Sequence, residues 1–245
     1  MLVEPNSWVT IPSGDYEVSP VAQMEHRWYE LCREAGMSTL WSTSLFHMME
    51  RFYKLPEGLR HYHTFEGHIY RLLQALDEFR KDNPYKPSCG WFAFIYALFM
   101  HDIFYVPGDK QNEPESGNLA SSLLFGTPME GAGKDVRRLI EDTMRALPPY
   151  NYTTHPDGPL LCDLDLIGLG GSYEDFRDDT TLIRKEFSFA TDEQFKKGRK
   201  DFFEQMYARG YIYHTSYFRD KYEDRAKENV ALYISDGRFV PAKGI

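Results

Sequence analysis

Three places in the chain put ionisable side chains where an apolar pattern leaves no obvious room for them. His101-Asp102 directly follows the longest apolar run, Cys89 to Met100, which is twelve residues counting Gly90. A histidine and a carboxylate buried together are costly unless something compensates. A divalent cation would compensate. So would a satisfied pair in which Asp102 merely orients the imidazole. The second place is Arg60-His61-Tyr62-His63 with His68 shortly after. His68 lies one residue before Ile69 and four before Leu72, on the core stripe, as a ligand, an acid or a satisfied core histidine. The third is Cys162-Asp163-Leu164-Asp165-Leu166, whose carboxylates are either metal ligands or charges stabilising a helix N-terminus.

Positioning these groups falls to helices. Pro20 to Ala35 reads as the first, stopped by Gly36; Ser38 caps a second running to about Leu55, closed by Pro56 and Gly58. From Thr64, Phe65, Ile69, Leu72, Leu73, Leu76 and Phe79 follow one face of a 3.6-residue period. Ser88 opens the apolar helix that runs to about Tyr105. Further helices are predicted over 112–124, 136–147, 173–187, 192–208 and 217–234, and 160–169 is a short apolar segment carrying two aspartates. The segment Gly210 to His214 is β-prone but has no partner strand. The expected fold class is all-α: a single helical domain over 20–245, preceded by an extended, proline-containing arm over 1–19.

Composition narrows the functions. The 245 residues are 42% hydrophobic and 27% charged, ordinary for a globular protein with a sizeable core. A net charge of −9 argues against a duplex nucleic-acid partner, because phosphate neutralisation dominates that binding. Three cysteines without a C-x-x-C pair suggest a reducing compartment. The N-terminus lacks a secretory pattern and the longest apolar run is too short for a bilayer, so a cytoplasmic protein with no membrane partner is expected. Gly131-Ala-Gly-Lys134 lacks the first P-loop glycine and has Asp135 where Ser or Thr is needed; Gly168-Leu-Gly-Gly171 follows no strand, as a dinucleotide fingerprint would. Lys196 to Lys200 reads as a solvated helix face.

Taken in order, the signals are His, His-Asp and Asp on apolar helices. Arg60-His-Tyr-His63, His101-Asp-Ile-Phe-Tyr105, Asn112-Glu113 with Ser116, and Asp163-Leu-Asp165-Leu with Gly170 together resemble the bacterial HD superfamily of metal-dependent phosphohydrolases. Ile183-Arg184-Lys-Glu186-Phe187, Gly198-Arg199, Ile212-Tyr213 and Asn229 extend the likeness, which covers about Tyr53 to Leu232. The resemblance implies an HD-type helical bundle and an enzyme that hydrolyses a phosphate ester, in first place of a nucleotide. It implies His68, His101, Asp102 and Asp165 as metal ligands, with Asp163 competing for the fourth place. It makes His63 the acid or phosphate-contacting histidine. Glu113 would hold or deprotonate the attacking water, Arg60 would meet the phosphate, and Arg184, Arg199 and Tyr105 would bind substrate. Two imidazoles and two carboxylates suit Mn²⁺, Fe²⁺, Co²⁺, Zn²⁺ or Mg²⁺.

The chain departs from that family twice. His68 comes five positions after His63 rather than four, as if Gly67 were inserted, and one extra residue turns a helix face by about 100°. Relatives often carry a histidine soon after the position of Thr143, whereas this chain has Arg145-Ala146-Leu147, leaving His155 as the nearby substitute for a second metal. A di-iron oxygenase of HD type and a non-catalytic helical binding module are the rival expectations, and self-association stays open. The aromatic surplus offers Tyr62, Phe104, Tyr105, Tyr213 and Tyr217 for a base-stacking wall.

Overall fold

The computed structural model describes residues 18–236. Its helices are α1 (Pro20–Glu34), α2 (Thr39–Phe52), α3 (Tyr70–Asp82), α4 (Gly90–Met100), α5 (Asn112–Leu123), α6 (Gly133–Arg145), α7 (Gly158–Asp165), α8 (Tyr173–Glu186), α9 (Asp192–Ala208) and α10 (Ser216–Asp236). No strand occurs among the described residues, so the fold is all-α as expected. Of the arm expected over 1–19, only Val18 and Ser19 are described, and Ser19 is already the N-cap of α1; the rest of the arm lies outside the described residues.

Local chemistry sets the boundaries. The hydroxyls of Ser19, Ser38, Ser172 and Thr191 each accept a backbone N–H of the first turn of α1, α2, α8 and α9, and Thr191 forms a reciprocal capping box with Gln194. Gly36 ends α1 with φ +70°, a conformation that glycine adopts without the Cβ penalty.

The bundle is organised around α4, whose residues Phe92 to Met100 are all buried. A helix apolar on every side must be central. It packs on α1, α5 and α6. Its ends are held by polar groups from elsewhere. At the N-terminus the Asp157 carboxylate accepts from Cys89 N (3.2 Å) and Ser88 Oγ (2.8 Å). At the C-terminus Tyr53 donates to Phe99 O (2.9 Å), and Arg60 donates to Asp102 O (2.7 Å) and Ile103 O (2.9 Å). A cation at the negative end of the helix dipole is the favourable sign.

Several predicted elements end sooner than expected. The helix drawn over 88–105 regularises only over 90–100, and past its end the Arg60 guanidinium takes the carbonyls of Asp102 and Ile103. The short apolar segment over 160–169 falls in α7 and a following 3-10 turn, Ile167–Gly170. Residues 210–214 form an irregular link, pinned where Glu223 accepts from Ile212 N (2.8 Å) and Tyr213 N (3.0 Å).

Between Thr64 and α3 the chain makes a π-helical turn, Phe65–Ile69. Ile69 N reaches back five residues to Thr64 O (3.3 Å), so one extra residue is looped into the first turn. This absorbs the Gly67 insertion. Thr64 caps the turn, its hydroxyl accepting from Gly67 N (3.1 Å). The turn lets both His63 and His68 face the same site.

Candidate metal centre

His68 on the π turn, His101 and Asp102 just past α4, and Asp165 at the end of α7 converge, with one ligand atom from each within 4.8 Å of all the others. His68 Nε2 lies 3.3 Å from His101 Nε2, 3.1 Å from Asp165 Oδ1 and 3.6 Å from Asp102 Oδ2. His101 Nε2 lies 3.2 Å from Asp102 Oδ2 and 3.4 Å from Asp165 Oδ1. Both histidines are almost fully buried.

The donor set fits a single divalent cation. With bonds of about 2.1 Å, neighbouring ligands around one ion stand ~3.0 Å apart at right angles and ~3.4 Å apart in a tetrahedron. The observed separations run from 3.1 to 3.6 Å, close to those edges. The tautomers agree. His101 Nδ1 lies 2.9 Å from Leu98 O, and a carbonyl can only accept, so Nδ1 carries the proton and Nε2 turns inward as a donor to a metal. Burial holds His68 below its ordinary pKa, towards the neutral form a ligand needs, and its Nδ1 is buried with no partner among the described residues. His101 goes the other way. Burial opposes its charge, but the Asp102 and Asp165 carboxylates raise it well above the usual histidine range and are themselves held well below theirs. A proton on His101 and a cation at the centre therefore answer the same excess of negative charge.

Above the cluster opens a cavity of about 460 Å³, lined among others by His63, Tyr105, Glu113, Asp165, Asp179 and Arg199. His63 is oriented from behind. Its Nδ1 lies 2.7 Å from Glu186 Oε2, and its ring rests on Tyr105 at 4.2 Å between centroids. Burial opposes the charged imidazole, yet Glu186 and Asp102 raise its pKa above the ordinary value. Burial, reinforced by Asp102 and Asp165, pushes the Glu113 carboxyl up to about 7. Arg199 reaches the cavity over the Phe203 ring (4.6 Å), and its buried Nε has no hydrogen-bond partner among the described residues.

Three expectations are overturned. Arg60 does not meet a substrate: Leu55 O, His63 O, Asp102 O and Ile103 O occupy its guanidinium, which ties the His63 loop to the end of α4. Arg184 stands outside the cavity wall and spends its donors on Asp192, Phe187 O and Ala190 O, closing the α8–α9 turn. Asp163 does not compete for the metal. Two residues before Asp165 on a helix, it points about 200° away. There it accepts from His214 N (2.6 Å), Thr215 N (2.8 Å) and Thr215 Oγ1 (2.7 Å), holding the two residues just before α10.

His155 belongs to a different group, with Cys89 and Asp157. It adds no ligand to the first. Of the aromatics proposed as a stacking wall, Tyr62 and Tyr105 line the cavity; Tyr213 is buried and donates to Leu166 O (3.2 Å), Phe104 packs on Phe52 and Tyr217 on Phe79.

Sequence reasoning gave no role to Glu186. Its Oε1 accepts from the backbone N–H groups of His61, Tyr62 and His63 at 2.8, 2.8 and 2.9 Å, while Oε2 takes His63 and the Tyr105 hydroxyl (2.8 Å). A signal was present. In α8, Phe176, Asp179, Thr180, Ile183 and Glu186 follow the helical period on the buried face, so two carboxylates sit where the pattern calls for apolar residues.

No family model, curated protein or solved structure matches the chain.

Proposed function

We propose that the protein is a metal-dependent hydrolase of phosphate esters, of HD type, with His68, His101, Asp102 and Asp165 holding one divalent cation. The observation that carries this reading is the convergence of two imidazole nitrogens and two carboxylates at ligand spacing, below a cavity lined by Arg199, whose buried Nε has no hydrogen-bond partner among the described residues. The chemistry supplied by a cation bound there is polarisation of a phosphoryl oxygen and acidification of a water.

The chain's own groups do the rest. Arg199 binds the phosphate as a charge-assisted donor. Glu113, near neutrality in its pKa, takes the proton of the attacking water. His63, held charged by Glu186, gives its proton to the leaving oxygen. Tyr105 and Glu186 fix the ring that does so, and Arg60 fixes the loop that carries it.

The test is metal analysis of the purified protein followed by a panel of phosphate esters with added Mn²⁺, Co²⁺ and Mg²⁺. The proposal expects about one metal per chain and metal-dependent phosphate release. A folded protein with no metal affinity and no turnover would favour the binding-module reading.

A further inference from the structure

The phosphoryl site fixes one end of the cavity, and the rest of the wall decides what the phosphate is attached to. Arg199 and the exposed Lys110 are the permanent cations among its lining residues, against the carboxylates of Asp109, Glu113, Asp165 and Asp179. Arg71 approaches from behind, but both its terminal nitrogens are committed to Asp179, at 2.5 and 3.1 Å. That pairing frees Arg199 from Asp179. Gly168 allows this knot of groups to close: a Cβ there would stand 2.8 Å from Asp179 Oδ2 and 2.9 Å from the Tyr62 hydroxyl.

One phosphate ester group carries about −1.5 to −2 at neutral pH. The Arg199 guanidinium is placed to meet one such group. The other permanent cation of the lining, Lys110, is exposed, so a tail of two or three phosphates lacks an equal match inside the cavity. Much of the remaining wall is apolar, with Leu147, Pro148, Leu169, Phe176, Phe187 and Phe202, beside the polar side chains of Asn112 and Tyr150. The apolar part gains from covering hydrocarbon, which a polyphosphate or a bare sugar does not bring.

We propose that the substrate is a phosphate monoester of a compact apolar or aromatic alcohol, whose organic group fills the apolar end of the cavity. The proposal rests on the phosphohydrolase reading for the fate of the ester, but its test is equilibrium binding. Phosphonates keep the dianion on a carbon–phosphorus bond that hydrolysis does not cut. Calorimetric titration of the full-length protein, as purified with its metal, with phenylphosphonate, methylphosphonate and a methylene-bridged nucleoside triphosphate analogue separates the outcomes.

Phenylphosphonate is expected to bind at least about tenfold more tightly than methylphosphonate, from the apolar area it covers, and more tightly than the triphosphate analogue. Phe202→Ala should erase the phenyl advantage and leave methylphosphonate unchanged. Arg199→Met should weaken both by about the same factor, on the order of tenfold, with metal content unchanged. A nucleoside phosphonate that matches phenylphosphonate assigns the aromatic group to a base; a weaker one assigns it to a simpler alcohol. Equal affinity for the phenyl and methyl compounds, or tighter binding of the triphosphate analogue, overturns the proposal. The two readings fail separately. Hydrolysis that prefers nucleoside triphosphates removes this inference and keeps the phosphohydrolase. Tight phenylphosphonate binding without ester hydrolysis does the reverse.

Discussion

Among the described residues, two largely buried groups have the residue types and spacing to hold a metal ion, and they are built in opposite ways. In the group of Cys89, His155 and Asp157, the protein answers its own polar atoms. Asp157 accepts from Tyr85 Oη, Ser88 Oγ and Cys89 N, and His155 Nδ1 accepts from Asp157 N (3.1 Å). In the group of His68, His101, Asp102 and Asp165, donors of electron pairs face one another. Two Nε2 atoms stand 3.3 Å apart, and the neighbours of the carboxylates within the group are those same nitrogens. Closed hydrogen bonding marks a structural cluster, and converging lone pairs mark a place for a cation. Asp163 and Asp165 repeat the contrast within one turn of α7, the first fully answered by the two residues just before α10 and the second turned to the open centre.

The largest expected effect breaks this contrast at its sharpest point. Asp165→Asn should abolish stoichiometric metal binding and phosphate release together while the protein stays folded. Asp163→Ala should do the opposite. It strands two backbone donors and a hydroxyl, so thermal or urea unfolding should show a loss of about 2–4 kcal/mol with metal content preserved in the folded fraction. Asp157→Ala belongs with Asp163→Ala, by about the same amount and for the same reason. Metal loss in Asp157→Ala, with His101 and Asp165 intact, would dissolve the distinction between the two groups.

Glu186 gives a subtler, pH-dependent effect. Burial alone would raise its pKa, but His63 and the backbone N–H groups of the 61–63 loop hold it at about 2, below its ordinary 4.5. The stability it contributes is therefore complete above pH 4.5 and is lost as the pH falls through about 2. The urea midpoints of the parent protein and Glu186→Gln should differ fully above pH 4.5 and converge as the pH falls from there through about 2; a gap undiminished at pH 2 contradicts the assignment. The smallest effect is at Gly67. A Cβ there would stand 2.8 Å from Thr64 Oγ1 and displace the cap of the π turn. Gly67→Ala should cost about 1 kcal/mol and weaken metal binding through His68.

How much of this was readable in the sequence follows from what each feature depends on. The helices were legible because capping residues and a 3.6-residue apolar period are local. The four converging side chains stood out because each interrupts an apolar face, and it was the resemblance to the HD phosphohydrolases that joined them into one proposed ligand set. Arg60 and Arg184 were misjudged because an arginine's partners are backbone carbonyls brought near only by the fold: the end of α4 for one, the α8–α9 turn for the other. Asp163 was left in competition because it and Asp165 share a composition and differ only in direction. The π turn was invisible because sequence shows an extra residue but not which hydrogen bond absorbs it.

The central claim is that four side chains hold one divalent cation, and elemental analysis of the purified protein beside Asp102→Asn tests it most directly. Asn keeps the size of Asp102 and can still accept a hydrogen bond from His101, but it lacks the charge that a cation needs opposite it. The account predicts about one metal per chain in the parent protein and a small fraction of that in Asp102→Asn, with both folded to the same helical content. Full metal occupancy and undiminished phosphate release in Asp102→Asn would reduce the cluster to an oriented core histidine and contradict the account.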